Sequence, residues 1–524
     1  MEMPTARTAA GLLAQMAQRF PDQEAFVDHK SRYTYAQWRS GSRQLAKGLY
    51  AIGVRPGDHV AILAGNVAEW LLVDFAIASL GATMVPINTW ATPRELSYLF
   101  AHSQATCLVH ADKYLGTDYV EVFAQMQTSG LWPEKLNTRV CIGKPCEGAV
   151  SFEALYTLGE PVDDAVIDAC ERAVKATDVA CLLYTSGSTA VPKGVPLQHG
   201  SLIENMWNIG ARQRLNRDDR LWLAVSLFWS FGCVNALFAM LTHGVCIVLQ
   251  ALFDPAQALR LIERERCTVF YGTPNMTLAL LEHPERERYD LSSLRTGLTI
   301  GTPDQVRMAI ELGVRDVCNV YGLTETYGNA AVTDAHAPVE QRIACQGEPL
   351  PGNELIIVDP QSGRVLAAGE VGEIRVRGYV TPNYFNDPHK NAESFDADGF
   401  FLTGDLGFLD NDGCVHFRGR CKEMIKTGGI NVAPAEVEES LAAFDGVAQA
   451  YVVGLPDSER DELVAAVLVL DEGAHIDVDE LKAYCRERLA AYKVPRRFRI
   501  ATDAELPLTS TRKLQKMRLP ELFD

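Results

Sequence analysis

The stretch Val179-Ala-Cys-Leu-Leu-Tyr184 is apolar without a break until its final hydroxyl, and it runs straight into Thr185-Ser-Gly-Ser-Thr-Ala-Val-Pro-Lys-Gly194. An unbroken apolar run is the pattern of a strand covered on both faces, as in a parallel sheet between helix layers. After the small-residue loop, Ser201-Leu-Ile-Glu204 has the spacing of a capping box and predicts a helix start. Short β-branched runs recur elsewhere, as in Val60-Ala-Ile-Leu-Ala64, Cys246-Ile-Val-Leu249 and Ala448-Gln-Ala-Tyr-Val-Val453, with helix-like segments between them. Strands alternating with helices predict an α/β fold with parallel sheet.

At 524 residues the chain is too long for a single core and divides into packed units. The polar stretch Gly419-Arg-Cys-Lys422, between two strand-like patches, marks the expected boundary. Residues 1–420 are expected to form a large N-terminal domain of stacked α/β subdomains, and residues 421–524 a small α+β C-terminal domain. In the latter, Pro434-Ala-Glu-Val-Glu-Glu-Ser-Leu441 predicts a helix with proline and acids in its first turn. Asp477-Val-Asp-Glu480 opens another, expected to end near Lys493-Val-Pro495.

Hydrophobic residues make up 47% and charged residues 22%, a globular rather than a disordered balance. The net charge of −18 argues against broad nucleic-acid or anionic-membrane binding, while leaving room for a local anion site. The 13 cysteines include no CxxC pair and, being odd in number, complete no disulfide framework. Met1-Glu-Met-Pro-Thr5 has neither the basic head nor the apolar core of a signal peptide. No run of about 18 apolar residues, the length of a membrane span, is present. The expectation is a reduced, soluble, cytoplasmic protein with buried or idle thiols.

Several stretches carry chemistry-bearing residues. In Tyr184–Gly194, backbone N–H groups and hydroxyls can wrap a polyphosphate, and Lys193 adds a mobile positive charge. The GxxxxGK[ST] spacing of a Walker A loop is absent, and a plain surface turn is the competing reading. Asn319-Val-Tyr-Gly-Leu-Thr-Glu-Thr326 brings together a ring, a glycine, a hydroxyl and a carboxylate. The ring can stack on a base and the carboxylate can hold magnesium; the alternative is a strand end before a capped helix. Leu402-Thr-Gly-Asp-Leu406 sets an acid after a tight turn, where it can hold a ribose diol or simply make the turn. Gly419-Arg-Cys-Lys-Glu-Met-Ile-Lys-Thr-Gly-Gly-Ile-Asn-Val-Ala-Pro434 and Leu506-Pro-Leu-Thr-Ser-Thr-Arg-Lys-Leu-Gln-Lys516 are basic on an acidic chain, with solvated loops as the plainer reading.

Taken in order, these stretches resemble the core motifs of the adenylate-forming superfamily: acyl- and aryl-CoA synthetases, nonribosomal adenylation domains and beetle luciferases. The resemblance spans nearly the whole chain and is closest to the acyl- and aryl-CoA synthetases. It implies a phosphate loop made of Thr185, Ser186, Gly187, Ser188, Thr189 and Lys193, with Ala190 where glycine is usual. It implies that Gly301, Thr302 and Pro303 pass the adenine and that Tyr321 stacks on it, with Asn319 and Gly322 beside the nucleotide. Thr324 matches an α-phosphate contact, Glu325 the magnesium ligand, and Asp405 with Arg420 the pair that grips the ribose. Lys513 matches the lysine that bridges the substrate carboxylate and the α-phosphate, with Arg512 where glycine is usual. A cation at that junction offsets the repulsion between two anions. Thr185, Glu325 and Lys513 are therefore the catalytic candidates. The resemblance further implies a mobile C-terminal domain hinged at Lys422, and a thiol tunnel past Gly428 and Gly429. Missing side chains there allow close approach of pantetheine, and a simple β-turn is the alternative for that glycine pair.

Ser226-Leu-Phe-Trp-Ser-Phe-Gly232 bears on the substrate. Amino-acid-activating relatives carry an aspartate here for the substrate ammonium; this chain has Trp229. Together with Phe231 and Gly322 it suggests an apolar acyl pocket or a swinging gate, with simple core packing as the alternative. The expected reaction is ATP-dependent ligation of a medium- or long-chain, cyclic or aromatic carboxylic acid to coenzyme A through an acyl-adenylate. ATP, Mg2+ and coenzyme A are the expected cosubstrates and cofactor. The sequence stops soon after Lys513 with no carrier domain, which favours free coenzyme A as the acceptor. Loading of a separate acyl carrier protein, a homodimer, and nucleotide binding without catalysis stand as alternatives.

Overall fold

The apolar run forms the strand Val179–Thr185, parallel to Thr83–Pro86 on one side and antiparallel to Lys193–Gln198 on the other. The structure, a computed structural model, describes residues 2–185, 192–427, 430–432, 434–457, 461–489, 493–509 and 514–523. Val179–Thr185 belongs to a seven-stranded sheet ordered Lys193–Gln198, Val179–Thr185, Thr83–Pro86, His59–Leu63, Cys107–Ala111, Thr138–Ile142 and Val150–Ser151. A nine-stranded sheet runs Glu348–Pro349, Ala331–Val332, Asp316–Tyr321, Thr296–Thr299, Val269–Tyr271, Arg220–Leu223, Cys246–Leu249, Glu24–Val27 and Arg32–Thr34. The run of pairs from Asp316–Tyr321 through Glu24–Val27 is parallel, while Ala331–Val332 and Glu348–Pro349 at one end and Arg32–Thr34 at the other are joined antiparallel. In the helix Ala68–Leu80 every residue but Glu69 is buried, as befits a helix that is apolar on all sides. It stops at Gly81, which turns left-handed at φ +69°.

The chain divides into two compact units, one of Met1–Leu355, Val376–Phe401 and Gly413–Val415, the other of Ile356–Arg375, Leu402–Asp412 and His416–Asp524. The second unit contains the long antiparallel pair Val447–Asp457 and Asp461–Leu470. Arg497–Ile500 runs parallel to Asp461–Leu470, and the hairpin Ile425–Thr427 with Ile430–Val432 completes this sheet. The helices Pro434–Ala442 and Val478–Arg488 supply Val437, Leu441, Leu481 and Cys485 to its core. The fold is thus mixed α/β, with a large N-terminal part and a smaller α+β C-terminal part.

Several local expectations are corrected. The helix after the hairpin is His199–Arg212 and starts before Ser201, because it follows Lys193–Gln198 without a connecting loop. Ser201 is inside it and makes no capping box; Glu204 instead pairs with Arg7 at 2.9 Å and accepts a hydrogen bond from the Tyr379 hydroxyl at 2.8 Å. The helix opened by Asp477 ends at Arg488, where Leu489 becomes extended. Thr403, Gly404 and Asp405 lie within the strand Phe401–Leu409 rather than after a turn, with Gly404 at φ +68°. Cys141 and Cys146 are brought together as a sulfur pair. The short Ile142–Pro145 connection brings their Cα atoms to 6.2 Å, within bridging range.

Candidate active site

Thr185 and Lys193 are registered partners across the hairpin. Of the intervening loop, Ser186, Gly187, Ser188, Thr189 and Ala190 lie outside the described residues. Both stems are anchored. The Tyr184 hydroxyl is 2.8 Å from His102 Nδ1, and the Tyr98 hydroxyl donates to the Pro192 carbonyl at 2.9 Å. The Tyr98 and His102 rings stack with centroids 5.2 Å apart, so one helix, Pro93–His102, holds both ends. Burial depresses the His102 imidazole below its usual range and raises the Tyr184 hydroxyl above its own, which keeps both neutral.

The strand Asp316–Tyr321 leads into the short helical turn Thr324–Thr326. Asn319 is fully buried; its Nδ2 donates to the Cys345 carbonyl at 3.1 Å, and its backbone N–H to Thr333 Oγ1 at 2.9 Å. These bonds make it a tether for the strand end. Tyr321 is buried beside it. A Cβ on Gly322 would stand 2.3 Å from the Gly328 carbonyl oxygen, so no side chain fits there. Gly301, Thr302 and Pro303 form the cap of the helix Pro303–Leu312, in which Thr302 and Gln305 make a reciprocal capping box.

Glu325 is 9% exposed. Its Oε1 accepts a hydrogen bond from the Tyr384 hydroxyl at 2.7 Å, and its carbonyl accepts one from the Thr381 N–H at 2.6 Å. Burial first, and the Glu325 carboxylate second, raise the Tyr384 hydroxyl above its usual range and keep it a donor. Lys193 Nζ lies 5.6 Å from the centroid of the Tyr384 ring. Thr324 Oγ1 is 3.4 Å from Ser230 Oγ, a weak contact. Among the described residues no cluster of three or more His, Cys, Asp or Glu could hold a metal. Glu325 would offer a cation a carboxylate oxygen, a hard donor. Such a donor fits magnesium, which keeps its waters and binds through few protein oxygens.

Trp229 precedes a π-helical turn, Ser230–Ala236, a feature frequent at functional sites. It is 36% exposed, so it is not core. Its ring meets Trp90 and Phe228 edge-on, each at 5.3 Å, and Trp90 meets Phe228 at the same separation. Phe231 instead stacks on the buried Tyr271, 5.2 Å away at 13°. Sequence reading missed Trp90, in the loop after Thr83–Pro86, because nothing local distinguishes it.

In the second unit, Asp405 is 3% exposed and Arg420 Nε stands 3.1 Å from its Oδ1. The Asp405 N–H donates to Thr403 Oγ1 at 3.0 Å, while Thr403 Oγ1 donates to the Ile374 carbonyl at 2.5 Å. Arg375 Nε pairs with Glu373 Oε2 at 3.0 Å, and Glu373 Oε1 accepts from the Gly404 N–H at 3.3 Å. The backbone of Lys422 lies in the turn Cys421–Glu423; Gly428, Gly429, Arg512 and Lys513 lie outside the described residues. Sequence reading also missed Tyr384 and Thr381, whose relation to Glu325 is purely tertiary.

The family model described as AMP-binding enzyme matches residues 13–385, and that of the AMP-binding enzyme C-terminal domain matches residues 436–513. The Bacillus subtilis protein YngI, described as an acyl-CoA synthetase, is 38% identical across 98% of this chain and 96% of its own. The mitochondrial medium-chain acyl-CoA ligase ACSF2 of Danio rerio is 32% identical across 97% of this chain and 87% of its own. The crystal structure of the anthranilate CoA ligase AuaEII with anthranoyl-AMP superposes with a TM-score of 0.84 at 28% identity, covering 99% of this chain and 98% of that one.

Proposed function

This chain belongs to the AMP-binding enzyme family, and on that premise we propose that it activates an apolar carboxylic acid for transfer to coenzyme A. The overall reaction is ATP-dependent acid–CoA ligation through an acyl-adenylate. A carboxylate oxygen attacks the α-phosphorus, the bond to the β-phosphate oxygen breaks, and pyrophosphate leaves. The thiol sulfur then attacks the acyl carbon, its proton is lost, and the bond to AMP breaks.

The observation that carries the substrate class is the half-open aromatic group of Trp229, Trp90 and Phe228, where an ammonium-binding acid would otherwise stand. An apolar surface of this kind suits a medium- or long-chain, cyclic or aromatic acyl group. The described relatives act on such acids: a medium-chain acyl group for one, anthranilate for another.

In this reading the loop between Thr185 and Lys193 holds the β- and γ-phosphates, Thr324 the α-phosphate, and Asp405 with Arg420 the ribose. Glu325 would hold magnesium, which supplies charge neutralisation on the polyphosphate. Lys513 sits at the meeting point of carboxylate and α-phosphate, carried by a C-terminal domain, residues 421–524, that turns about Lys422. Gly428 and Gly429 leave width for the pantetheine arm.

A panel of aliphatic, cyclic, aromatic and amino acids, assayed for ATP- and CoA-dependent AMP release, tests this. Turnover with apolar acids and none with α-amino acids is expected. Preference for an amino acid, or AMP release that does not depend on coenzyme A, would overturn it.

A further inference from the structure

The segment Thr381–Phe385 has no part in the reading above, yet it meets both halves of the proposed polyphosphate site. The Phe385 N–H donates to the Gly194 carbonyl at 2.8 Å, one residue beyond Lys193. Thr381 Oγ1 lies 2.8 Å from the Pro196 carbonyl on the same strand, and the Thr381 N–H reaches the Glu325 carbonyl at 2.6 Å. Tyr384 is fixed in turn: its N–H donates to Asn391 Oδ1 at 2.6 Å, and Asn391 Nδ2 donates back to its carbonyl at 3.0 Å. From this held backbone its hydroxyl reaches Glu325 Oε1 at 2.7 Å, and its ring faces Lys193 Nζ. Glu325 Oε2 has no hydrogen-bond partner among the described residues.

We propose that Tyr384 is a positioning residue for a divalent cation that Glu325 would hold with ATP: it commits Oε1 by a hydrogen bond and so leaves Oε2 for the metal. The inference rests on the proposed role of Glu325 and adds to it. Glu325 sits on a short turn with a flexible side chain and little else to orient it. A carboxylate with both oxygens uncommitted can rotate, whereas one held by a neutral donor keeps its charge and loses its freedom. A tyrosine suits the task because its rigid ring sets the height of the donor. Its face also meets the Lys193 ammonium, 5.6 Å from the ring centroid. Partners that orient a ligating side chain commonly matter to metal affinity by about 10- to 100-fold.

The test uses the full chain with ATP, no acid, and Mn2+ as the spectroscopic stand-in for Mg2+. Free Mn2+ is followed by electron paramagnetic resonance, and ATP binding in EDTA gives the metal-free reference. Tyr384→Phe keeps the ring and removes the hydroxyl. Its Mn2+ dissociation constant in the presence of ATP is expected to rise about tenfold, with metal-free ATP affinity unchanged. Glu325→Gln is expected to lose most Mn2+ binding, and adding Tyr384→Phe to it to cost nothing more, since the two act as one unit. Wild-type Mn2+ affinity in Tyr384→Phe overturns the proposal, as does an equal fall in metal-bound and metal-free ATP affinity, which marks a merely structural contact. Wild-type Mn2+ affinity in Glu325→Gln removes the metal from Glu325 altogether, and is thereby distinct from failure of Tyr384 alone.

Discussion

Thr185 stands directly across from Lys193 as the last registered pair of an antiparallel hairpin, and the helix Pro93–His102 pins both of its stems through His102 and Tyr98. The loop is therefore delivered between fixed ends, and part of its ordering cost is met by the fold rather than by ATP. Tyr184→Phe removes the bond to His102 and is expected to raise the KM for ATP about fivefold, the worth of one ordinary hydrogen bond, with kcat little changed. Initial-rate kinetics at saturating acid and coenzyme A check this.

Lys513→Ala is expected to lower acid-dependent ATP–pyrophosphate exchange by about 100- to 1,000-fold, as loss of a preorganised transition-state charge does. Thioester formation from pre-made acyl-adenylate should persist, because no phosphate charge develops in that step. Equal loss of both half-reactions would sink the rotating-domain assignment.

Trp229→Ala is expected to shift preference among acids of different chain length or ring size, leaving the KM for ATP nearly constant. Trp90→Ala should act in the same direction, and the double variant should be non-additive, since the rings meet at 5.3 Å. A kcat/KM series over straight-chain and aryl acids reads this out; an unchanged acid profile would reduce both rings to packing.

Asp405→Ala removes the buried partner of Arg420. If this pair grips the ribose diol, the variant should lose discrimination between ATP and its deoxyribose analogues, while wild type prefers ATP. Competition binding with the analogues measures the ratio.

Asp74, in the helix Ala68–Leu80, has no hydrogen-bond partner at Oδ2, and burial raises its pKa from 3.8 to about 7. Its folded-state pKa exceeds its unfolded value, so its contribution is complete below pH 3.8 and is lost as pH rises towards 7. The swing is about 4 kcal/mol as an upper bound. Asp74→Asn should therefore stabilise the protein more at pH 8 than at pH 5, read as the difference in urea midpoint between the two proteins at each pH.

The layering of strands and helices was legible in the sequence because buried strands such as Val179–Thr185 and Cys246–Leu249 announce themselves by unbroken apolar runs. The helix Pro434–Ala442 was equally legible from its proline and acids. The boundary at His199 was not: a capping signature at Ser201 lost to a strand that passes directly into a helix. Tyr321, Thr324 and Glu325 lie in one continuous stretch, and the resemblance to the adenylate-forming superfamily, rather than their spacing, gave them their expected roles. Trp90 and Tyr384 could not be named, since what makes them matter is a neighbour more than fifty residues away in the chain. Asn319 was named as a nucleotide neighbour, and its amide is spent on the Cys345 carbonyl, a role that only the fold reveals.

Lys193–Gln198 is the outer strand of its sheet, where unpaired backbone groups invite pairing with another chain. Here Pro196 offers no N–H, while Phe385 and Thr381 bond to the carbonyls of Gly194 and Pro196. The segment that reaches Glu325 is thus also a guard against aggregation. A lesion in Thr381–Phe385 would leave an enzyme that is both slower and stickier, and a loss of yield on expression would accompany the loss of rate.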